Sequence, residues 1–466
     1  MFGWDWGAQL PDIGIWRDLY LECYNAGRIE DVVIRQKHTW KERPQMGELS
    51  QEEYIEAVEQ SDTVSLSVEV KPEQDTNLEN TKVIVTLTDP KGVQLEQIVL
   101  PTIKEAVCAE ILVAQPKLWW CNGLGDQPLY KVQVSLVDNN QFVLDSKEYS
   151  IGLRELTVST KKDEWGNEFA FVINGIHIFS MGADYIPEDC IYPWITKERI
   201  EALIRSSVKA NYNMLRVWGG GYYPSDTFYD LCDQYGLIVW QDLMYACNVY
   251  DFTEEFEKNI CQETVDNVRR LRHHASLGLW CGNNELESAW DHWGISETHS
   301  PLLKGDYIKQ FEYVLPKVTK AEDQATFYWP SSPSSGGCLD NPDDHDRGDC
   351  HYWDVWHGMK PFSDYRSHYF RFCSEFGFQS FPERKTIDTF ALPQDCNIFS
   401  PVMESHQKNG TANGKILYYI SENFRYPKDF DSLVYVSQVL QGIAIKAGVD
   451  HWRANRGRLS LIHISE

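Results

Sequence analysis

The sequence predicts an antiparallel β-sandwich followed by a (β/α)8 barrel, and three observations carry that prediction. At 466 residues the chain is too long for one ordinary domain. From Thr63 to about Val137 the apolar residues alternate with a period of two, the mark of strands buried on one face. After about Thr157 short apolar runs alternate with helical patterns, which specifies a parallel sheet wrapped by helices.

The first region reads Val64, Leu66, Val68 and Val70, then Val83, Val85 and Leu87, then Tyr130, Val132, Val134 and Leu136. Asp89-Pro90-Lys91-Gly92 follows the second run; its proline presets one turn dihedral and its glycine tolerates positive φ, as a hairpin connection requires. The second region opens with a strand from Ile178 to Tyr185, a helix carrying Ile200, Leu203, Ile204 and Val208, and a strand from Met214 to Trp218. It continues with strands Leu237 to Trp240 and Leu277 to Trp280, separated by a helix through Cys261, Val265, Val268 and Leu271. A last helix is expected to present Val436, Val439, Leu440 and Ile443 on one face. In such a barrel the reacting groups sit where strands end and loops begin.

Charge excludes one class of partner. Lys plus Arg total 43 against 69 Asp plus Glu, a net charge of -26, which repels a phosphate backbone, so no nucleic acid is expected. No run of eighteen apolar residues and no signal-like start is present, so no membrane partner is expected either. The twelve cysteines are scattered without any C-x-x-C pair and read as mostly reduced core residues. His273-His274 and the segment from Cys338 to His351 match no zinc spacing; the segment reads as a solvated loop, and no metal is expected. A G-x-S-x-G elbow is also absent, which argues against a Ser-His-Asp hydrolase. The 17 tryptophans and 24 tyrosines suit either stacking on sugar rings or a large aromatic core.

Two glutamates stand at predicted strand ends. Glu285 closes Trp280-Cys-Gly-Asn-Asn-Glu285, and Glu375 lies in Phe372-Cys-Ser-Glu375-Phe-Gly-Phe. Glycoside hydrolysis needs such a pair, one carboxyl to attack the anomeric carbon and one to protonate the leaving oxygen. Arg216 and Trp218 close another strand beside Gly219-Gly220-Gly221, where an arginine can pair with a carboxylate and an indole can floor a sugar site. Those glycines lack any phosphate-loop pattern.

These segments, together with Phe2-Gly-Trp-Asp-Trp-Gly7, Gly14-Ile-Trp-Arg17, Leu118-Trp-Trp-Cys-Asn-Gly-Leu-Gly125, Gln127-Pro-Leu-Tyr130, Gly182-Ala-Asp184 and Ser374-Glu-Phe-Gly377, resemble the β-mannosidase branch of glycoside hydrolase family 2, which also holds β-galactosidases and β-glucuronidases. The resemblance implies a retaining exo-β-glycosidase without a cofactor, taking terminal β-mannose from oligosaccharides or glycoconjugates. Glu285 would then be the acid/base, Glu375 the nucleophile and Asn284 a donor to the sugar 2-hydroxyl. Asp5 and Trp4 would reach the sugar from a neighbouring domain, Trp218 and Trp293 would line its subsite, and Arg216 would brace the nucleophile. For Trp4, Trp6 and Trp293 simple core packing is the competing reading. Other members of the family, or a carbohydrate-binding barrel without turnover, are the alternatives.

The same resemblance implies the domain plan. Residues 1–60 would be the remnant of a jelly-roll domain, 61–156 an immunoglobulin-like sandwich, and 157–458 a barrel lacking its eighth strand. The stretch 459–466, which resembles a translated sequencing adapter, is expected to stand outside the fold.

Overall fold

A computed structural model of the chain describes residues 4–10, 13–24, 27–44, 49–73, 78, 80–102, 105–459 and 461–464. Phe2 and Gly3 of the first motif lie outside the described residues.

Seven strands build the sandwich: β1 (Ile29–Trp40), β2 (Asp62–Pro72), β3 (Lys82–Thr88), β4 (Gln94–Pro101), β5 (Val107–Ala114), β6 (Tyr130–Val137) and β7 (Val143–Ile151). They form two antiparallel sheets, β1-β2-β5 and β4-β3-β6-β7. The alternation read from the sequence is the core pattern: Val64, Leu66, Val68, Val83, Val85, Val132 and Val134 are all fully buried. At the predicted hairpin, Asp89 Oδ1 accepts from the backbone N–H of Lys91 and Val93, and Gly92 takes φ +83°. The sandwich starts earlier than residue 61, because β1 pairs along β2 from Ile29 to Trp40. As a polar edge strand that fully buries only Ile29 and Val32, β1 lacks the alternation that betrays a half-buried strand. Helix α1 (Gln51–Ser61) joins β1 to β2, and Ser50 with Glu53 closes a capping box at its start.

Five short strands follow, β8 (Leu156–Ser159), β9 (Lys162–Asp163), β10 (Gly166–Asn167), β11 (Ala170–Ile173) and β12 (Ile176–His177). Phe169 and Phe171 from this layer pack on Trp240 and Phe372 inside the barrel. They continue one hydrophobic core from the sandwich into the barrel.

The barrel strands are β13 (Ser180–Tyr185), β14 (Met214–Val217), β15 (Ile238–Asp242), β16 (Leu277–Cys281), β17 (Phe327–Trp329), β18 (Cys350–His351), β19 (Cys373–Glu375) and β20 (Leu461–Ile464). Helices α2 (Lys197–Lys209), α3 (Asp226–Tyr235) and α4 (Glu254–Leu271) alternate with the early strands. The eight strands follow the order β17-β16-β15-β14-β13-β20-β19-β18, parallel throughout. Between β17 and β18 the only described backbone pairing is the isolated bridge from Ser334 to Asp349.

Three expectations are corrected here. The stretch expected outside the fold supplies β20, which pairs with β13 from Ser180↔Leu461 to Ala183↔Ile464 and meets β19 at Cys373↔Ile462. The facing edges of β13 and β19 offer unpaired backbone groups, and a short run rich in β-branched residues fills them. The helix Phe430–Ala454 buries Val434, Ser437, Leu440, Ala444, Gly448 and Trp452, leaving Ile443 exposed. Small residues share its packed face, and at Gly448 Phe376 and Trp452 leave no room for a side chain. The cysteines are all free, but Cys23, Cys108 and Cys338 are exposed, not core residues.

Candidate active site

The strand ends converge on one polar cluster. Arg216, in β14, is fully buried, and its guanidinium fans out to three strands. Nη1 donates to Glu375 Oε1 at 2.7 Å, and Nη2 donates to Asp242 Oδ2 at 2.9 Å and to Asn284 Oδ1 at 2.7 Å. Asp242 is itself held by Trp240 Nε1 and the Gly219 N–H. A buried guanidinium tolerates desolvation only with partners of this quality, and the carboxylates around it hold it firmly protonated despite burial.

Glu285 sits in the left-handed region at φ +62°, immediately before the helix α5 (Leu286–His292). Its N–H donates to Ser332 O, and such a conformation costs a non-glycine residue about 1 kcal/mol or more. Cys247 Sγ and Asn284 Nδ2 lie 3.3 and 3.4 Å from Glu285 Oε2.

A hydrogen-bonded chain supports the pair from below. Asp349 accepts from Trp329 Nε1 and Ser334 N–H on one oxygen, and from Ser332 Oγ at 2.6 Å and Ser374 Oγ at 2.5 Å on the other. His351 Nε2 lies 3.0 Å from Ser332 Oγ and 3.4 Å from Arg216 Nη1. His351 Nδ1 lies 2.8 Å from Glu285 Oε1 and 3.4 Å from Glu375 Oε2. Burial lowers the His351 pKa and raises that of Glu285, which favours the neutral form of each. Burial also raises Glu375, and the neighbouring Glu285 adds to this, while His351 and Arg216 oppose it. Of the two carboxyls only Glu375 accepts directly from Arg216, an interaction that favours its ionised form. One donor atom from each of Glu285, His351 and Glu375 lies within 4.8 Å of the others.

Around this cluster opens a cavity of about 550 Å³. Every residue singled out from the sequence except Arg216 lines it: Trp4, Asp5, Trp218, Asn284, Glu285, Trp293 and Glu375. Arg216 lies directly beneath. Trp4 and Trp6 stand edge-on to Trp218, with ring centroids 4.9 and 5.3 Å away, and Trp293 is half exposed at the rim. Asp5 is fixed by Asn409 Nδ2 at 2.7 Å. Arg17 donates to the Tyr223 carbonyl and Trp16 packs on Tyr192 and Tyr222, which fastens the segment bearing Asp5 to the barrel.

Sequence reasoning missed Asp184, Asp242, His351, Trp353 and Cys247 as parts of this site. Asp242 was findable as the residue ending a strand two positions after Trp240. The supposed solvated loop turns inward at its end: Asp349 and Cys350 are fully buried, and β18 is only two residues long, too short to register as a periodic run. His274 takes no part, since it pairs with Asp233 at 2.7 Å far from the cavity.

Residues 53–154 match the family described as glycosyl hydrolases family 2. The chain is 35% identical to β-mannosidase B of Aspergillus fumigatus and 34% identical to that of Aspergillus niger, each over 98% of its length and 52% of the relative's. It thus spans about half the length of the curated relatives it matches. Among solved structures, β-D-mannosidase from Dictyoglomus thermophilum superposes over 100% of this chain and 54% of its own, with a TM-score of 0.86 at 32% identity. The exo-chitosanase of Amycolatopsis orientalis shares the fold, with a TM-score of 0.69 at 15% identity over 94% of this chain and 49% of its own. The multidomain architecture, the strand-end carboxylates and these likenesses agree with the match of residues 53–154 to glycosyl hydrolases family 2.

Proposed function

We propose that this chain carries the catalytic centre of a retaining exo-β-glycosidase that releases terminal non-reducing β-D-mannose from β-mannosides. The observation that carries the mechanism is the spacing of Glu285 and Glu375, with carboxyl oxygens within 4.8 Å. Retaining enzymes set their carboxyls about 5 Å apart, whereas inverting ones leave roughly 6.5–9.5 Å for a water. The preference for mannose is supported by the likeness to proteins called β-mannosidases in sequence and structure.

In the first step the ionised Glu375 attacks the anomeric carbon, the glycosidic C–O bond breaks, and the proton on Glu285 passes to the leaving oxygen. A glycosyl ester on Glu375 results. In the second step the Glu285 carboxylate takes a proton from water, the water oxygen bonds the anomeric carbon, and the ester electrons return to Glu375. Arg216 holds the nucleophile in line and stabilises it as the leaving carboxylate, while Asn284 Nδ2 is available to the sugar 2-hydroxyl. Asp5, Trp4, Trp218 and Trp293 present one carboxylate and three indoles to the rest of the ring, a pairing of polar and flat apolar surface suited to a sugar.

Hydrolysis of aryl β-mannoside, β-galactoside, β-glucuronide and β-glucosaminide tests this reading, alongside Glu375→Gln and Glu285→Gln. Mannoside turnover lost in Glu375→Gln is expected. Turnover of another glycoside overturns the substrate and keeps the mechanism, and binding of mannose unchanged by Glu375→Gln with no turnover points to a carbohydrate-binding barrel.

A further inference from the structure

We infer that Cys247 is a positioning residue for Glu285, its thiol holding the carboxyl oxygen that does not face His351. The two oxygens of Glu285 keep different company. Oε1 lies 2.8 Å from His351 Nδ1, whereas Oε2 receives Cys247 Sγ–H at 3.3 Å, with Asn284 Nδ2 at 3.4 Å. An amide at that distance makes a stretched hydrogen bond. Asn284 Nδ2 is also divided between Oε2 and the sulfur, 3.4 Å from each, while its Oδ1 is committed to Arg216. The thiol is thus the main hold on Oε2.

The backbone supports this independently. Cys247 takes φ +50° and Glu285 φ +62°, so two non-glycine residues that face each other both sit in the left-handed region. Such a conformation is strained and persists only where the surroundings over-determine it. Here Ala246 bridges to Asn284 in parallel pairing, the Cys247 N–H donates to the Asn284 carbonyl at 3.0 Å, and the Asn284 N–H donates to the Tyr245 carbonyl at 2.9 Å. Tyr245 is buried against Phe311, which anchors the loop after β15. The paired loops after β15 and β16 therefore aim the thiol and the carboxyl at each other.

Sulfur suits the task. A general acid must keep its proton, and a strong donor to its oxygen favours the carboxylate instead. A thiol is a weak donor, so it fixes the oxygen with little pull toward ionisation. Burial and the adjacent Glu285 push the Cys247 pKa up, so the sulfur stays a thiol although it lines the cavity. The other titratable or charged groups facing Glu285 are His351 from β18, Glu375 from β19, Arg216 from β14 and His357.

This role rests on the acid/base function proposed above for Glu285. The test is the pH profile of kcat/KM for an aryl mannoside whose leaving phenol is weakly acidic and needs the proton. Cys247→Ser supplies a stronger donor and should move the basic limb down by about 0.5–1 pH unit, whereas Cys247→Ala, without a donor, should move it up. Opposite shifts are a signature that a loss of packing does not produce. A basic limb unmoved in either variant, or moved the same way by both, overturns the inference. Infrared pH-difference spectra follow the same carboxyl without substrate, through the protonated-carboxyl stretch that Glu285→Gln removes. Opposite infrared shifts in a chain that hydrolyses no glycoside keep the contact between thiol and carboxyl and discard the glycosidase reading.

Discussion

Arg216 touches Glu375, the carboxylate proposed as nucleophile, an aspartate and an amide through one guanidinium, so its loss strands several buried polar groups at once. Arg216→Met should destabilise the protein by about 3–5 kcal/mol, the scale of an uncompensated buried ion pair, and thermal denaturation checks it. Glu375→Gln should cut turnover by roughly 10⁴-fold or more, because no neighbouring group can replace the attacking carboxylate. Glu285→Gln should spare the first step for aryl mannosides with acidic leaving phenols, which depart without a proton; a burst of phenol followed by a slow steady state is the readout. Glu287, buried two residues beyond Glu285 and receiving Tyr307 OH at 2.8 Å, is pushed up to about 8 by burial. A carboxyl raised on folding contributes stability that is complete below its unfolded pKa of about 4.3 and is lost as pH rises through its folded value. Glu287→Gln should therefore flatten the fall in Tm between about pH 4.5 and 8. At this scale the two glutamates and Arg216 were legible because each ends an apolar run. His351 was not, because its strand is two residues long and its neighbours are acidic loop residues.

Elements differed in how openly they declared themselves. The inner sandwich strands and β14 to β16 follow period and apolar runs, since each buries one or both faces. Edge strand β1 and the short β20 carry no such pattern, and their pairing is dictated by strands distant in sequence. The helix Phe430–Ala454 misled for another reason: Ser437, Ala444 and Gly448 share its packed face with Leu440 and Trp452, so the stripe is not marked by large apolar residues alone. A Cβ at Gly448 would stand 2.9 Å from the Trp452 ring and 3.2 Å from Phe376. Gly448→Val should cost about 1–3 kcal/mol by overpacking despite adding apolar surface, measured as a lower Tm with KM unchanged.

Across the whole molecule the sandwich and barrel share one buried core, running from Ile29 through Trp119 and Phe171 to Trp240. Polar ties reinforce it: Arg272 donates to Asp31 at 2.6 Å and to the Val32 carbonyl, Arg154 to the Ala275 and Leu277 carbonyls, and Trp119 Nε1 to the Asp233 carbonyl. The two should unfold in one calorimetric transition, and two separated transitions would contradict this coupling. Domain order was readable from the change of rhythm near Thr157, but this union was not, since it depends on arginines and indoles meeting over more than a hundred residues of chain.

The junction between β17 and β18 is joined by a single bridge from Ser334 to Asp349, and the chain between those residues loops out at the cavity rim, where Asp343 faces His292. Such a place tolerates changes of length that a continuous ladder forbids. It is where natural variants, or a designed library of insertions after Ser335, would diversify the group attached to the sugar while leaving the cleavage chemistry intact.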